Sequence, residues 1–187
     1  MNNASDFSSE EGLWIMRAIR NLAFGREGSQ LLELAIVLPL LAAMIVGIFD
    51  FGEAYNLKQK LNNTAREAAR FAAGQNSMSG LNDSDVAAIV QVVNSYLQSA
   101  GLTQCTFGAP TKATFVYTST ATGTGCGSAS LVIDRVFHIN AGTAGTKVTL
   151  VYPFTWRVGN VMRLLLPSST LTLPTTLSTD AIMQNLN

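Results

Sequence analysis

Few residues of this chain have the types and spacing that chemistry needs. His138 is its one histidine. It falls in "LVIDRVFHIN", whose two-residue alternation predicts a β-strand, and no nucleophile partner for it is evident. Asp134 and Arg135 are neighbours in the same run, so they face opposite ways and cannot share a site on one face. "GTAGTK" at 142–147 superficially resembles a phosphate loop, but it lacks the spacing and precedes a strand instead of a helix. It reads as a hairpin turn. "GTGCGS" reads as a flexible loop. Cys105 and Cys126 are the only cysteines, and their separation fits no zinc pattern. No catalytic constellation emerges, so the sequence predicts no enzyme, no metal and no cofactor.

Glu33 is different. It is the one charged residue between Leu31 and Phe49, a run otherwise apolar throughout. That run is close to the ~20 residues needed to cross a hydrocarbon core as a helix. A carboxylate in the first turns of a helix gains about 0.3–1 kcal/mol from the macrodipole. Insertion of comparable groups at mid-span costs about 2.5–3.5 kcal/mol, so the dipole alone does not offset it, even with Glu33 nearer the interface. A Ser-x-x-Glu capping box fails by one residue, because Glu33 lies four after Ser29. The physical requirement is a cationic partner.

The elements around Glu33 follow from composition and periodicity. Charged residues make up 13% of the 187, about half the usual ~25%, and the mean hydropathy is +0.25. Both suit one domain with one membrane span. Formal net charge is zero, with no basic block, which argues against nucleic acid as a partner. A cleavable signal has a shorter apolar region followed by a small-residue site; none follows directly here, so the span is expected to be retained in the bilayer lipid. Pro39 predicts a kink or loosened turn near Ala35–Pro39. Arg17, Arg20 and Arg26 precede the span, set against Glu27; Asp50 and Glu53 follow it, with Lys58 and Lys60 further on. The positive-inside bias puts the N-terminus in the cytoplasm and the rest outside. Within the leader, "LWIMRAIRNLAF" suits an interfacial helix or a basic spacer.

Beyond the span, Ala54, Leu57, Leu61, Ala65, Ala68 and Ala72 recur at three- and four-residue steps, which extends the helix to a stop at Gly74. "NDSDVAAIVQVVNSYLQSAG" predicts a second amphipathic helix, with Val86, Ile89, Val90, Val93 and Leu97 on its inner face and Gly101 as its stop. The period then changes to two, and "KATFVYT", "LVIDRVFHIN", "KVTLVYPFTWRV" and "STLTLPTTLST" read as about four antiparallel strands. The expected fold is α+β: a long N-terminal transmembrane helix packed on a small antiparallel sheet with a second helix. The expected organisation is a leader over 1–28, the long helix over 29–74 with its span at 31–49, and an exported domain over 75–187. Two cysteines in an exported, oxidising setting predict a Cys105–Cys126 bridge, contributing about 3 kcal/mol by loop closure.

A basic leader, then Gly28, then an acid at the fifth position after it, then an apolar helix resembles the processing site of type IV prepilins. The longer run "EGSQLLELAIVLPLLAAMIVGIFDFGEAYNLKQKLNNTAREAARFAAG" is more specifically similar to TadE-like minor pilins of Tad (Flp) pili. The matching positions are Glu33, Ala35, Pro39, Gly47, Asp50, Phe51, Gly52 and the patch Ala65, Arg66, Glu67, Ala68, Ala69, Arg70; Leu34 departs from the aromatic usual after the glutamate. "LSTDAIMQNLN" also resembles the family's closing segment. The resemblance implies a bacterial inner-membrane precursor, cut by a prepilin peptidase between Gly28 and Ser29. It also implies assembly with other pilin subunits and the assembly platform, in which the Ser29 amine and Glu33 take part. The rival expectation is an uncleaved, membrane-anchored accessory or surface-binding protein.

Overall fold

The computed structural model describes residues 26–75, 83–140, 143–165 and 172–185. Helix α1, Arg26–Ala73, has 48 residues, ~72 Å at 1.5 Å per residue. It starts ahead of the expected 29 and passes through Pro39 without interruption. The expected interfacial helix of the leader lies outside the described residues. The length of α1 divides by burial. From Leu31 to Phe49 nearly every large apolar side chain is exposed, whereas Ala54, Leu57, Leu61, Ala65, Ala68 and Ala72 are all buried. Alanine on that stripe lets the sheet and second helix approach the backbone closely. Gly74 ends the helix, donating its N–H to the carbonyls of Arg70 and Phe71 at 3.3 and 3.2 Å.

Helix α2, Asp83–Ser99, buries the predicted face: Val86, Ile89, Val90, Val93 and Leu97. Its end is a Schellman cap. Gly101 takes φ 78°, its N–H reaches the Gln98 carbonyl at 3.0 Å, and the Leu102 N–H reaches the Leu97 carbonyl at 2.8 Å. Only a residue without Cβ enters that left-handed position freely.

The sheet is antiparallel, in the order β1 (Thr106–Phe107), β3 (Val116–Thr122), β4 (Ser130–Asn140), β5 (Thr143–Pro153), β6 (Thr176–Gln184), with β2 (Thr111–Ala113) also pairing with β3. Its inner face, including Tyr117, Leu131, Ile133, Val148, Leu150 and Ala181, joins the stripes of α1 and α2 in one core. The α+β class and the helix-on-sheet arrangement are as predicted. The strands differ in detail. "KATFVYT" is not one strand: Thr114 at φ 60° turns the chain between β2 and β3. The expected turn at 142–147 is narrower, since Asn140 already pairs with Thr143. In "KVTLVYPFTWRV" the strand stops at Pro153, and Val158 opens a helix, α3 (Val158–Leu165). The last strand begins at Thr176, within the expected run, and continues past it to Gln184; it starts after Pro174, which has no N–H to donate and whose carbonyl is taken by the Trp156 indole at 2.7 Å.

The predicted bridge is present between Cys105 and Cys126, with Cα atoms 5.6 Å apart. It ties the segment after α2 to the β3–β4 loop. Gly123 makes room for it: an added Cβ would lie 2.0 Å from the Gln104 carbonyl oxygen and 3.2 Å from Cys126 Sγ. Asn94 of α2 reinforces the junction by acting as a strand partner for Phe107, accepting from its N–H and donating to its carbonyl, both at 2.9 Å.

Candidate functional site

Gly28, Ser29 and Glu33 all lie in the first turns of α1. Gly28 is partly covered, while Ser29 and Glu33 are exposed. Ser29 and Glu33 are an i,i+4 pair, the spacing that brings side chains together on one helix face. Glu33 is surrounded by exposed Leu31, Leu32, Leu34 and Ile36. Among the described residues it is thus an acid set in an apolar helix surface. The Gly28–Ser29 peptide bond is itself helical, which is relevant to any peptidase that must reach it.

Further along, Asp50 is 1% exposed, and its Oδ2 accepts the backbone N–H of Val158 at 2.6 Å. Val158 is the first residue of α3, so a carboxylate just past the apolar run caps a helix 108 residues further along the chain, where it also faces the positive end of the helix dipole. Gly47, one turn earlier, faces the same residue: a Cβ there would meet Val158 Cγ2 at 3.9 Å. Phe51 packs edge-on against Trp156 at 5.4 Å between ring centroids, and Trp156 against Phe154 at 4.9 Å. Glu53 pairs with Arg157 at 3.1 Å. The motif "GIFDFGE" is therefore a docking point for residues 154–158. Gly52 has nothing within 4 Å of an added Cβ and borders an open groove of about 870 Å³ between α1 and residues 101–104 and 152–157.

The "AREAAR" patch splits by face. Ala65, Ala68 and Ala69 are fully buried. Arg66 and Arg70 point outward, and Arg70 approaches Glu67 at 4.0 Å. Half of the patch is thus core and half is surface.

Arg135, set aside in the sequence as a site residue, has a structural role that the sequence reading did not assign. Arg135 is 1% exposed, on the inner face, while Asp134 is half-exposed on the other, as alternation requires. Its Nη1 donates to the Ala72 carbonyl and its Nη2 to that of Gln75, at 2.5 and 3.5 Å. A guanidinium thus caps the negative end of α1 from within the core. Burial lowers its pKa from the ordinary value, opposed by the charges of Asp85 and Tyr117. The Arg135 carbonyl accepts from Asn185 Nδ2 at 3.2 Å, and Asn185 Oδ1 accepts from Thr146 Oγ1 at 2.7 Å. This chain of bonds joins the close of the "LSTDAIMQNLN" segment to the end of α1. The register shift between Asp134 and Phe137 places two β4 residues against Thr146, a β-bulge. A signal for Arg135 was available, since the period-two pattern places it in line with Leu131 and Ile133.

No curated protein and no solved structure matches the chain. The family model described as TadE-like protein matches residues 28–70, which include Gly28, Glu33, the docking motif and the arginine patch. The similarity to TadE-like proteins is thus confined to that segment, which covers most of α1 and none of the sheet.

Proposed function

We propose that this protein is a minor pilin-like subunit of a Tad pilus, held as a precursor in the bacterial inner membrane by residues 31–49, with the sheet domain on the outer side. In this reading a prepilin peptidase cuts after Gly28, and α1 carries the mature chain into the filament among other pilin subunits. The chain acts as a structural part and not as an enzyme. The observation that carries the reading is Glu33, an acid exposed on an apolar helix inside the TadE-like segment. Cleavage would create an ammonium group on Ser29, supplying the cation that an acid in a low-dielectric setting requires. Within one chain that amine meets Glu33 one turn away; between chains, the amine of one subunit meets the acid of the next and sets their register. We favour the second. Glu33→Gln keeps shape and removes charge, so insertion and cleavage should persist while recovery in sheared filaments falls. Equal recovery would reduce Glu33 to a local helix-start group.

A second reading has its own observation. The Gly28–Ser29 bond lies within a helix that begins at Arg26, which suits an uncleaved anchor whose Glu33 pairs with a fixed partner helix. Against it, glycine is about 1 kcal/mol poorer than alanine in a helix interior. The first turn is thus the easiest place to unwind for a peptidase.

A further inference from the structure

We propose that α3 and Trp156, together with the exposed aromatic residues where α1 leaves the apolar run, form an interfacial anchor. It would lie in the headgroup layer of the leaflet on the side of the sheet domain. The inference rests on the reading of 31–49 as a membrane span. Depth is the first argument. Val158 is bonded to Asp50, the residue just past the span, and faces Gly47 in its last turn, so the first turn of α3 is fixed at the edge of the hydrocarbon however the domain tilts. A segment held there meets lipid headgroups and not bulk water.

Chemistry is the second argument. Phe49, Phe51 and Tyr55 are 70%, 68% and 68% exposed within about two turns of α1, a helical length of ~9 Å. Half-buried Trp156 packs on Phe51 at the same level. Rings of this kind concentrate at membrane–water boundaries, where an apolar body and a polar edge are both accommodated. In α3, Val158, Val161 and Met162 are half-buried, whereas Asn160 and Arg163 are exposed, the mixed composition of a helix lying in an interface. Arg157, bridged to Glu53 at 3.1 Å, and Arg163 bring cations to the level of lipid phosphates. The occupant is lipid because the aromatic band continues the exposed apolar surface of 31–48 without a break. The span would then be gripped at its outer end, and departure into a filament would require α3 to leave the headgroup layer.

The test uses the full chain with Trp14→Phe, which leaves Trp156 as its only tryptophan, in phosphatidylethanolamine–phosphatidylglycerol vesicles. Lipids carry bromine either near the ester end or near the methyl end of the acyl chains. Trp156 emission should fall by about half or more with bromine near the ester end, as for an interfacial ring, and less with the deeper label. A companion chain with Trp14→Phe, Trp156→Phe and Leu40→Trp reports the span itself, by quenching with the deeper label. Quenching at Leu40→Trp without quenching at Trp156, whether the ring is open to aqueous acrylamide or covered by a second subunit, overturns the interfacial anchor and leaves the span intact. Absence of quenching at both positions overturns the span reading, and the anchor with it.

Discussion

Asp50 and Val158 are joined by a 2.6 Å hydrogen bond from the Val158 backbone to the Asp50 carboxylate, which fixes the start of α3 at the C-terminal end of the apolar run. Loss of a side-chain cap of this kind costs about 0.5–2 kcal/mol. Asp50→Ala should destabilise the detergent-solubilised protein by about that amount, and Asp50→Asn, whose amide oxygen still accepts, by less. Denaturant unfolding followed by circular dichroism distinguishes the two. Equal stability of all three chains would mean that α3 is held by packing alone.

Arg135 should be the costliest single polar residue to remove. Arg135→Met keeps much of the apolar stem but leaves the Ala72 and Gln75 carbonyls without their cationic donor, a loss of about 2–4 kcal/mol. Amide hydrogen exchange supplies the local signature. The last turn of α1 should lose protection before the sheet does.

Replacing both cysteines by serine should lower stability by about 3 kcal/mol, since the bridge closes a loop near 20 residues long. The anchor helix should insert as before, because α1 does not depend on the bridge. Gly123→Ala should be as damaging as the cysteine change, since its Cβ would lie 2.0 Å from the Gln104 carbonyl oxygen. Non-reducing mass spectrometry reports the bridge in each variant.

Burial pushes the Tyr152 phenol above its ordinary value of 10.0. The neutral phenol is therefore favoured in the folded state, so its contribution is fully present below that value and is lost as pH rises through the folded pKa. Tyr152→Phe should flatten the alkaline decline of stability in that window. An unchanged alkaline limb would assign the decline to other groups.

Much of the architecture was legible because it obeys local periods. The α1 stripe from Ala54 to Ala72, the α2 face and the Gly101 stop each follow from spacing alone. What escaped depends on distant partners. The start of α3 has its capping residue 108 positions away, so nothing near Val158 announces a helix. The turn at Thr114 uses a positive φ without glycine, against the usual steric preference. Of the candidate site, Glu33 stands out by type and position as a charge within an apolar run, whereas Gly28 and Ser29 enter only through the resemblance to prepilins. The roles of Asp50 and Gly47 in receiving Val158 were not readable, because the contact exists only once the sheet has folded back onto α1.

Gly28 should govern processing through helix propensity as well as through size. Gly28→Ala strengthens the first turn of α1 by about 1 kcal/mol, so it should slow cleavage moderately. Gly28→Leu also adds bulk where a peptidase must approach the backbone closely, and it should slow cleavage more. Pulse-chase analysis of the precursor and the mature chain gives the order. Identical rates for all three would remove Gly28 from the account.

The central claim is that this chain reaches the pilus as a subunit cut after Gly28, and the N-terminal residue of the protein in sheared filaments tests it most directly. Intact-mass and N-terminal analysis should find a chain that begins at Ser29, with full-length chain confined to the membrane fraction. Filaments that hold only full-length chain, or filaments without this protein while the membrane retains it uncut, would contradict the claim and favour the uncleaved anchor.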